Sequence, residues 1–166
     1  FSIVTGAIFV LNQYFDRKSD IMNPQKRHLP VAAMELSTKQ SSVLLVSLFA
    51  IGLLVAAIVD HTLLFLFVVY IGVGIVYSTP PLHFKKRPVI DLLTVGVGSG
   101  IVPFLIGLQA SNKLLIDSSL SLILICIIPV FLFQIASNIF QAIGDYEADK
   151  DEKITTFVVR YGKEKS

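Results

Sequence analysis

Four stretches of this chain cross the length of a bilayer without a single Asp, Glu, Lys or Arg: Ser41 to Val59, Thr62 to Tyr77, Leu92 to Ala110 and Ser119 to Gly144. Crossing the hydrocarbon core takes roughly 20 predominantly apolar residues as a helix. Backbone polar groups in lipid must be satisfied within the segment itself, as a helix does. These runs therefore predict membrane helices. Composition agrees, with 54% hydrophobic and 16% charged residues and a mean hydropathy of +0.73. Soluble domains carry about 25% charged residues, and a chain this short has no interior that could hide so much apolar surface.

The first apolar run, Phe1 to Phe15, is short for a full crossing and is read as the second half of a membrane helix. The last residues, Gly162 to Ser166, are polar. The expectation is an all-α, polytopic transmembrane bundle with about five spans, forming a single membrane-embedded domain over 1–166 truncated at both ends. Asp60-His61 joins two spans so tightly that they must form an antiparallel hairpin. Asp91 is placed to cap a helix beginning at Leu92. Cys126 has no partner cysteine and is read as a small buried hydrophobe. A net charge of +2 gives no case for nucleic acid as a partner.

The chemistry lies at the ends of the spans. Asn12, Asp16 and Asp20 recur every four residues, so on a helix they drift only about 40° per step and share one face. Gln141, Asp145 and Asp149 repeat that spacing at the end of the last run. Between them lies Tyr77-Ser-Thr-Pro-Pro-Leu-His-Phe-Lys85-Lys86-Arg87-Pro88. Counting crossings puts all three segments on one side of the membrane. Of the 14 Lys and Arg, all but Lys113 fall on that side, which the positive-inside rule makes cytoplasmic.

A carboxamide and two carboxylates on one helix face are oxygen ligands suited to Mg²⁺, which usually brings substrate phosphates with it. The plain alternative is a solvated helix end. Two such faces would hold two Mg²⁺ ions with a diphosphate bridging them, and the metals would neutralise charge developing on a departing diphosphate. A cavity beside the site would take an apolar tail. These features describe an allylic prenyl diphosphate ionised at the membrane edge, the tail buried and the headgroup facing the cytosol.

Asn12-x-x-x-Asp16-x-x-x-Asp20 with Asn23-Pro24 and Arg27-His-Leu-Pro30 resembles the first aspartate motif of the UbiA-type membrane prenyltransferases. The Tyr77 to Arg87 loop is similar to that family's tyrosine- and lysine-bearing loop. Asp145-Tyr-Glu-Ala-Asp149-Lys, with Thr155-Thr156 and Val159-Arg160-Tyr-Gly162, resembles its second aspartate motif. The resemblance implies about nine transmembrane helices around a cavity open to lipid, and Mg²⁺-dependent transfer of a prenyl group from an isoprenyl diphosphate to a lipophilic acceptor. It implies that Asn12, Asp16 and Asp20 serve one metal and Asp145 and Asp149 the other. Gln141 would take the polar position before the second pair, with Tyr77 and Lys85 or Lys86 near the diphosphate. No obligate protein partner is evident. The loop is closest in character to the branch acting on non-aromatic acceptors such as carotenoids or archaeal lipids.

Arg17, Lys26 and Arg27 lie beside or just past the first acids and are candidates for diphosphate oxygens, against a plain reading as membrane-surface anchors. Glu147 flanks the second motif off its face and reads as solvated. Asn138, inside an apolar run, needs a partner, and either a helix–helix hydrogen bond or an acceptor contact would serve. The competing function is an ion-coupled secondary transporter using the paired acids. Transporter sites sit near the bilayer midplane, whereas these acids lie at span ends. A phosphoalcohol transferase is disfavoured, because no Asp-Gly is paired with a downstream Ala-Arg.

Overall fold

In a computed structural model, residues 1–24, 26–111, 119–151 and 155–163 are described, all without strand. The helices are α1 (Ser2–Met22), α2 (Thr38–Val59), α3 (His61–Ser78), α4 (Ile90–Val95), α5 (Val102–Ala110), α6 (Leu120–Gly144), α7 (Tyr146–Asp151) and α8 (Phe157–Tyr161). A π-helical segment, Gly96–Ile101, joins α4 to α5 in one continuous rod. Lys113 lies outside the described residues. The chain forms two units, Phe1–Leu82 and His83–Ser166.

Four helical stretches are long and apolar enough to cross a membrane: Thr38–Val59, His61–Ser78, Ile90–Ala110 and Leu120–Gly144. The expected count was about five. The difference is α1, whose last third carries Asp16, Arg17, Lys18 and Asp20. Its apolar part, Ser2 to Phe15, reaches only about 21 Å at 1.5 Å per residue.

In the first unit, α1 packs on both α2 and α3. Val4, fully buried, sits where a Cβ on Gly52 of α2 would clash with it, and Arg17 reaches Thr38 at the start of α2. α1 and α2 therefore run antiparallel. The Oγ1 of Thr5 lies 3.2 Å from the Tyr70 hydroxyl, and Phe1 stacks on the Tyr70 ring at 5.2 Å. Ile8 lies against Gly74. Those pairs advance together, so α1 and α3 run parallel. The buried residues of α2 are Ser41, Gly52 and Ala56, small side chains of the kind that let membrane helices approach. The expected hairpin is present, and Asp60 fixes it by accepting the Leu63 N–H at 2.8 Å, the N-cap of α3.

The connector after α1 folds back against it. Val31 and Ala32 are buried, and the Val31 N–H reaches the Gln13 side-chain oxygen at 3.5 Å. Ser37 then opens α2 with a reciprocal capping box to Gln40, which satisfies two of the orphan N-terminal donors.

In the second unit, α6 packs on the π segment and on α4. Gly96, Gly98 and Gly100 are all buried. A Cβ on Gly96 would strike the Phe131 ring, and one on Gly100 would come within 3.3 Å of the Val130 carbonyl oxygen. Glycine removes the side chain, and Pro103 removes an N–H one turn later, so the i→i−4 ladder relaxes here into the wider π turn. The expected Asp91 cap is corrected. The helix starts at Ile90, the cap position is Val89 at φ 69°, and Asp91 is buried in the first turn. The tight turn through Pro88, whose carbonyl accepts the Ile90 N–H, starts the helix two residues early.

Candidate active site

The first acidic motif rides on one unbroken helix. Because α1 continues to Met22, Asn12, Asp16 and Asp20 keep the single face that their spacing requires. Asn12 and Asp16 are half-buried, and Asp20 is buried at 7% exposure. All three already have a partner within the protein. A carboxylate that buried is not a solvated helix end. Ser19 donates to the Asp16 carbonyl at 2.9 Å, and the Asn23 N–H reaches back to Ser19 and Asp20 carbonyls, closing the helix just past the last acid.

Asn23, itself buried, then organises the cations. Its carbonyl accepts the N–H groups of Lys26 at 3.0 Å and Arg27 at 2.9 Å. The tight turn holds both residues immediately beyond Asp20. Lys26 is half-buried and partnered, whereas Arg27 is exposed. Arg17 donates to the Thr38 hydroxyl at 3.1 Å, one of a guanidinium's five donors.

Tyr77, half-buried and partnered, closes α3 beside Ser78, which is fully shielded from solvent. The Ser78 Oγ has no hydrogen-bond partner among the described residues. Nothing in the sequence distinguished it from an ordinary helix serine. Most buried hydroxyls are paired, and an exception calls for a reason. Since α1 and α3 are parallel, with Ile8 opposite Gly74, equal rise along both helices puts Ser78 level with Asn12.

In the second unit, Lys85 and Lys86 sit in a short 3₁₀ turn, Phe84–Lys86. The turn is closed by Lys86 N–H to the His83 carbonyl at 3.0 Å, and by Arg87 N–H to the Phe84 carbonyl at 2.9 Å. Lys85 is half-buried and partnered, whereas Lys86 is exposed. The guanidinium of Arg87 covers the Phe84 ring at 5.7 Å.

The second acidic motif straddles a helix end. Gln141 is exposed on α6, Asp145 is the C-cap of α6, and Asp149 lies on the short α7. The backbone carries the register through, with Asp145 N–H bonded to the Gln141 carbonyl at 3.1 Å and Asp149 N–H to the Asp145 carbonyl at 2.9 Å. α7 is braced by α8. Val158 of α8 is fully buried, and α8 packs on both α6 and α7. Thr156 caps α8 through the Val159 N–H, and Gly162 at φ 87° closes it. The Lys163 ammonium reaches Glu147 at 3.3 Å and lies 4.6 Å from the centre of the Tyr146 ring. Glu147 is exposed, as expected of a solvated residue off the motif face, and it meets Lys163 at the surface.

Among the described residues no three His, Cys, Asp or Glu side chains form a metal cluster on their own. Each motif offers two carboxylates and one carboxamide. That donor set fits Mg²⁺, which is commonly held by one or two carboxylates with waters and substrate phosphates completing the shell.

The sequence model of the UbiA prenyltransferase family matches residues 1–166. The chain belongs to the UbiA prenyltransferase family. It is 30% identical over 159 residues to a lycopene elongase/hydratase of Corynebacterium glutamicum, covering 94% of this chain and 53% of that protein. It is 28% identical over 155 residues to a digeranylgeranylglyceryl phosphate synthase of Methanobrevibacter smithii, covering 92% and 53%. Its fold matches the structure of a UbiA homolog from Archaeoglobus fulgidus bound to GPP and Mg²⁺, with a TM-score of 0.84 at 23% identity, over 99% of this chain and 56% of that one. The chain spans about half the length of the curated relatives it matches. Family membership and four apolar spans make this an integral membrane protein of the helical-bundle class.

Proposed function

We propose that the protein transfers a prenyl group from an isoprenyl diphosphate to a lipophilic acceptor in the membrane. The observation that carries this is the amide–acid–acid pattern occurring twice, toward the C-terminal ends of α1 and α6, in a UbiA-family chain. Asn12, Asp16 and Asp20 would hold one Mg²⁺, and Asp145 and Asp149 a second. When bound, the metal neutralises charge on the leaving diphosphate. Lys26 and Arg27, held at the end of α1, supply cationic donors to diphosphate oxygens, with Arg17, Lys85 or Lys86, and Gln141 as further donors. Tyr77 would lie with these donors near the diphosphate. The buried Ser78 hydroxyl, level with Asn12, is a further donor that the substrate would satisfy.

The acceptor fits the non-aromatic class, a choice supported by the names of the two relatives described above. The site faces the cytoplasm, because the Lys and Arg residues crowd the segments that carry the motifs.

The test uses membranes carrying the full-length protein with geranylgeranyl diphosphate and shorter homologues. Diphosphate release is followed with Mg²⁺ and with EDTA, in wild type, Asp16→Asn and Asp145→Asn. Release that requires Mg²⁺ and falls by orders of magnitude in both variants supports the reading. Release that is absent at every prenyl length, or unchanged in both variants, ends it.

A further inference from the structure

α6 carries a row of carboxamides that the second acidic motif does not explain. Gln134, Asn138 and Gln141 are spaced i, i+4 and i+7. At about 100° per residue they fall, with Asp145, inside an arc of roughly 60°, and the row runs about 16 Å down the helix from Asp145. On the same arc the next residues down are Ile127 and Ile123, so the stripe passes from acid to amide to hydrocarbon. Gln134 and Asn138 are half-buried. Neither makes a side-chain hydrogen bond to another described residue. An amide held in the apolar part of a membrane without a partner is costly, and polar groups there ordinarily face a cavity or one another.

The deep end of the row meets the glycine-rich π segment. A Cβ on Gly100 would lie 3.2 Å from the Gln134 Cγ and 3.3 Å from the Val130 carbonyl oxygen, and Phe131 fills the space beside Gly96. Bare backbone therefore walls Gln134 on that side. π turns inside membrane helices recur at functional sites because the backbone there is opened. Within Ile90–Ala110 and Leu120–Gly144 the one charged side chain is Asp91, in the first turn of α4.

We infer that Gln134 and Asn138 form a subsite for a neutral hydroxyl group taking part in the transfer, either the acceptor's own or a water molecule. A hydroxyl both donates and accepts, as a carboxamide does. An acceptor bearing phosphate or carboxylate would find no cation in these spans. The subsite rests on the prenyl-transfer reading and adds the acceptor side to it. The bond between the allylic carbon and the diphosphate oxygen breaks, the electron pair leaving with the diphosphate. With a hydroxylated acceptor, its oxygen forms the new C–O bond. With a polyene acceptor, the alkene pair forms a C–C bond and water closes the resulting cation through a new C–O bond. In each case the hydroxyl proton passes to the released diphosphate.

The experiment uses the full-length protein in nanodiscs with Mg²⁺ and geranylgeranyl diphosphate. Three acceptors are compared: geranylgeranylglycerol, its phosphate, and lycopene in ¹⁸O-labelled water. Gln134→Leu and Asn138→Leu are each expected to raise the KM for the neutral acceptor, or to lower ¹⁸O incorporation, by about tenfold, the size of one lost hydrogen bond at the generous end. The Kd for the prenyl diphosphate should move less than about twofold, and Asn138→Gln, which keeps the amide, should recover most of the loss. Transfer to geranylgeranylglycerol identifies an acceptor hydroxyl, and ¹⁸O in a lycopene product identifies water. An unchanged KM in both variants overturns the subsite. A parallel loss of thermal stability and prenyl diphosphate binding also overturns it, because that would mean the row packs against protein. No diphosphate release in wild type brings down the prenyl-transfer reading itself, and the subsite with it. Release and transfer that persist unaltered in both variants bring down the subsite alone.

Discussion

Ile8 of α1 lies directly against Gly74 of α3, where an added Cβ would come within 3.0 Å of its Cδ1 and Cγ1. That contact locks the parallel register that brings Asn12 level with Ser78. Four residues earlier on α1, Val4 fills the space left by Gly52 of α2. Gly52→Val should cost about 1–3 kcal/mol, the usual penalty of overpacking a filled interior. Gly107→Ala, inside α5 with nothing within 4 Å of the added Cβ, should hold stability or raise it by up to about 1 kcal/mol. Thermal inactivation of the two variants in detergent checks the difference.

Ser78→Ala separates a structural from a functional hydroxyl. Its Oγ is buried without a partner among the described residues, so removing it relieves a desolvated polar group rather than breaking a bond. Thermal stability should hold or rise slightly. Diphosphate release should fall about tenfold if the substrate is what satisfies that oxygen. Loss of stability with unchanged release would assign Ser78 to packing.

Much of this was legible from residue spacing. Charge-free runs gave the spans, and the four-residue recurrence of Asn12, Asp16 and Asp20 gave the face, because α1 does continue through all three. The face-to-face packing was not legible. α2 and α3 are apolar all round, so hydrophobic periodicity has nothing to contrast, and the buried stripe Leu63, Phe67, Tyr70, Gly74 and Ser78 emerges only from the contacts. Asp91 was misplaced because the turn through Pro88 and Val89 starts the helix early. Glu147 is exposed, as its place off the motif face suggested, and only its contact with Lys163, 16 residues away across a segment with no periodic signal, was not legible.

Each acidic motif should be needed for diphosphate release. Asp16→Asn and Asp145→Asn are each expected to lower diphosphate release by at least about a hundredfold. The double variant should be little worse than either single one, since residues acting together in one step give non-additive losses. Single-turnover release in the three variants checks this. Fully multiplicative losses would mean that the motifs act independently.

The α7–α8 brace predicts a division between packing and charge. The Glu147–Lys163 pair is exposed, with side chains 76% and 44% accessible, and such surface pairs are worth about 0–1 kcal/mol. Glu147→Gln should therefore change activity less than about twofold. Val158 is fully buried, and burying a valine side chain is worth about 1.5–3 kcal/mol. Val158→Ala should loosen α8 from α6 and α7 and let the segment bearing Asp149 move. The expected signature is a severalfold rise in the Mg²⁺ concentration needed for half-maximal release, with maximal release at saturating Mg²⁺ largely retained. If Val158→Ala left that Mg²⁺ dependence untouched, α8 would be support for the fold alone and Asp149 would be held by α7 without it.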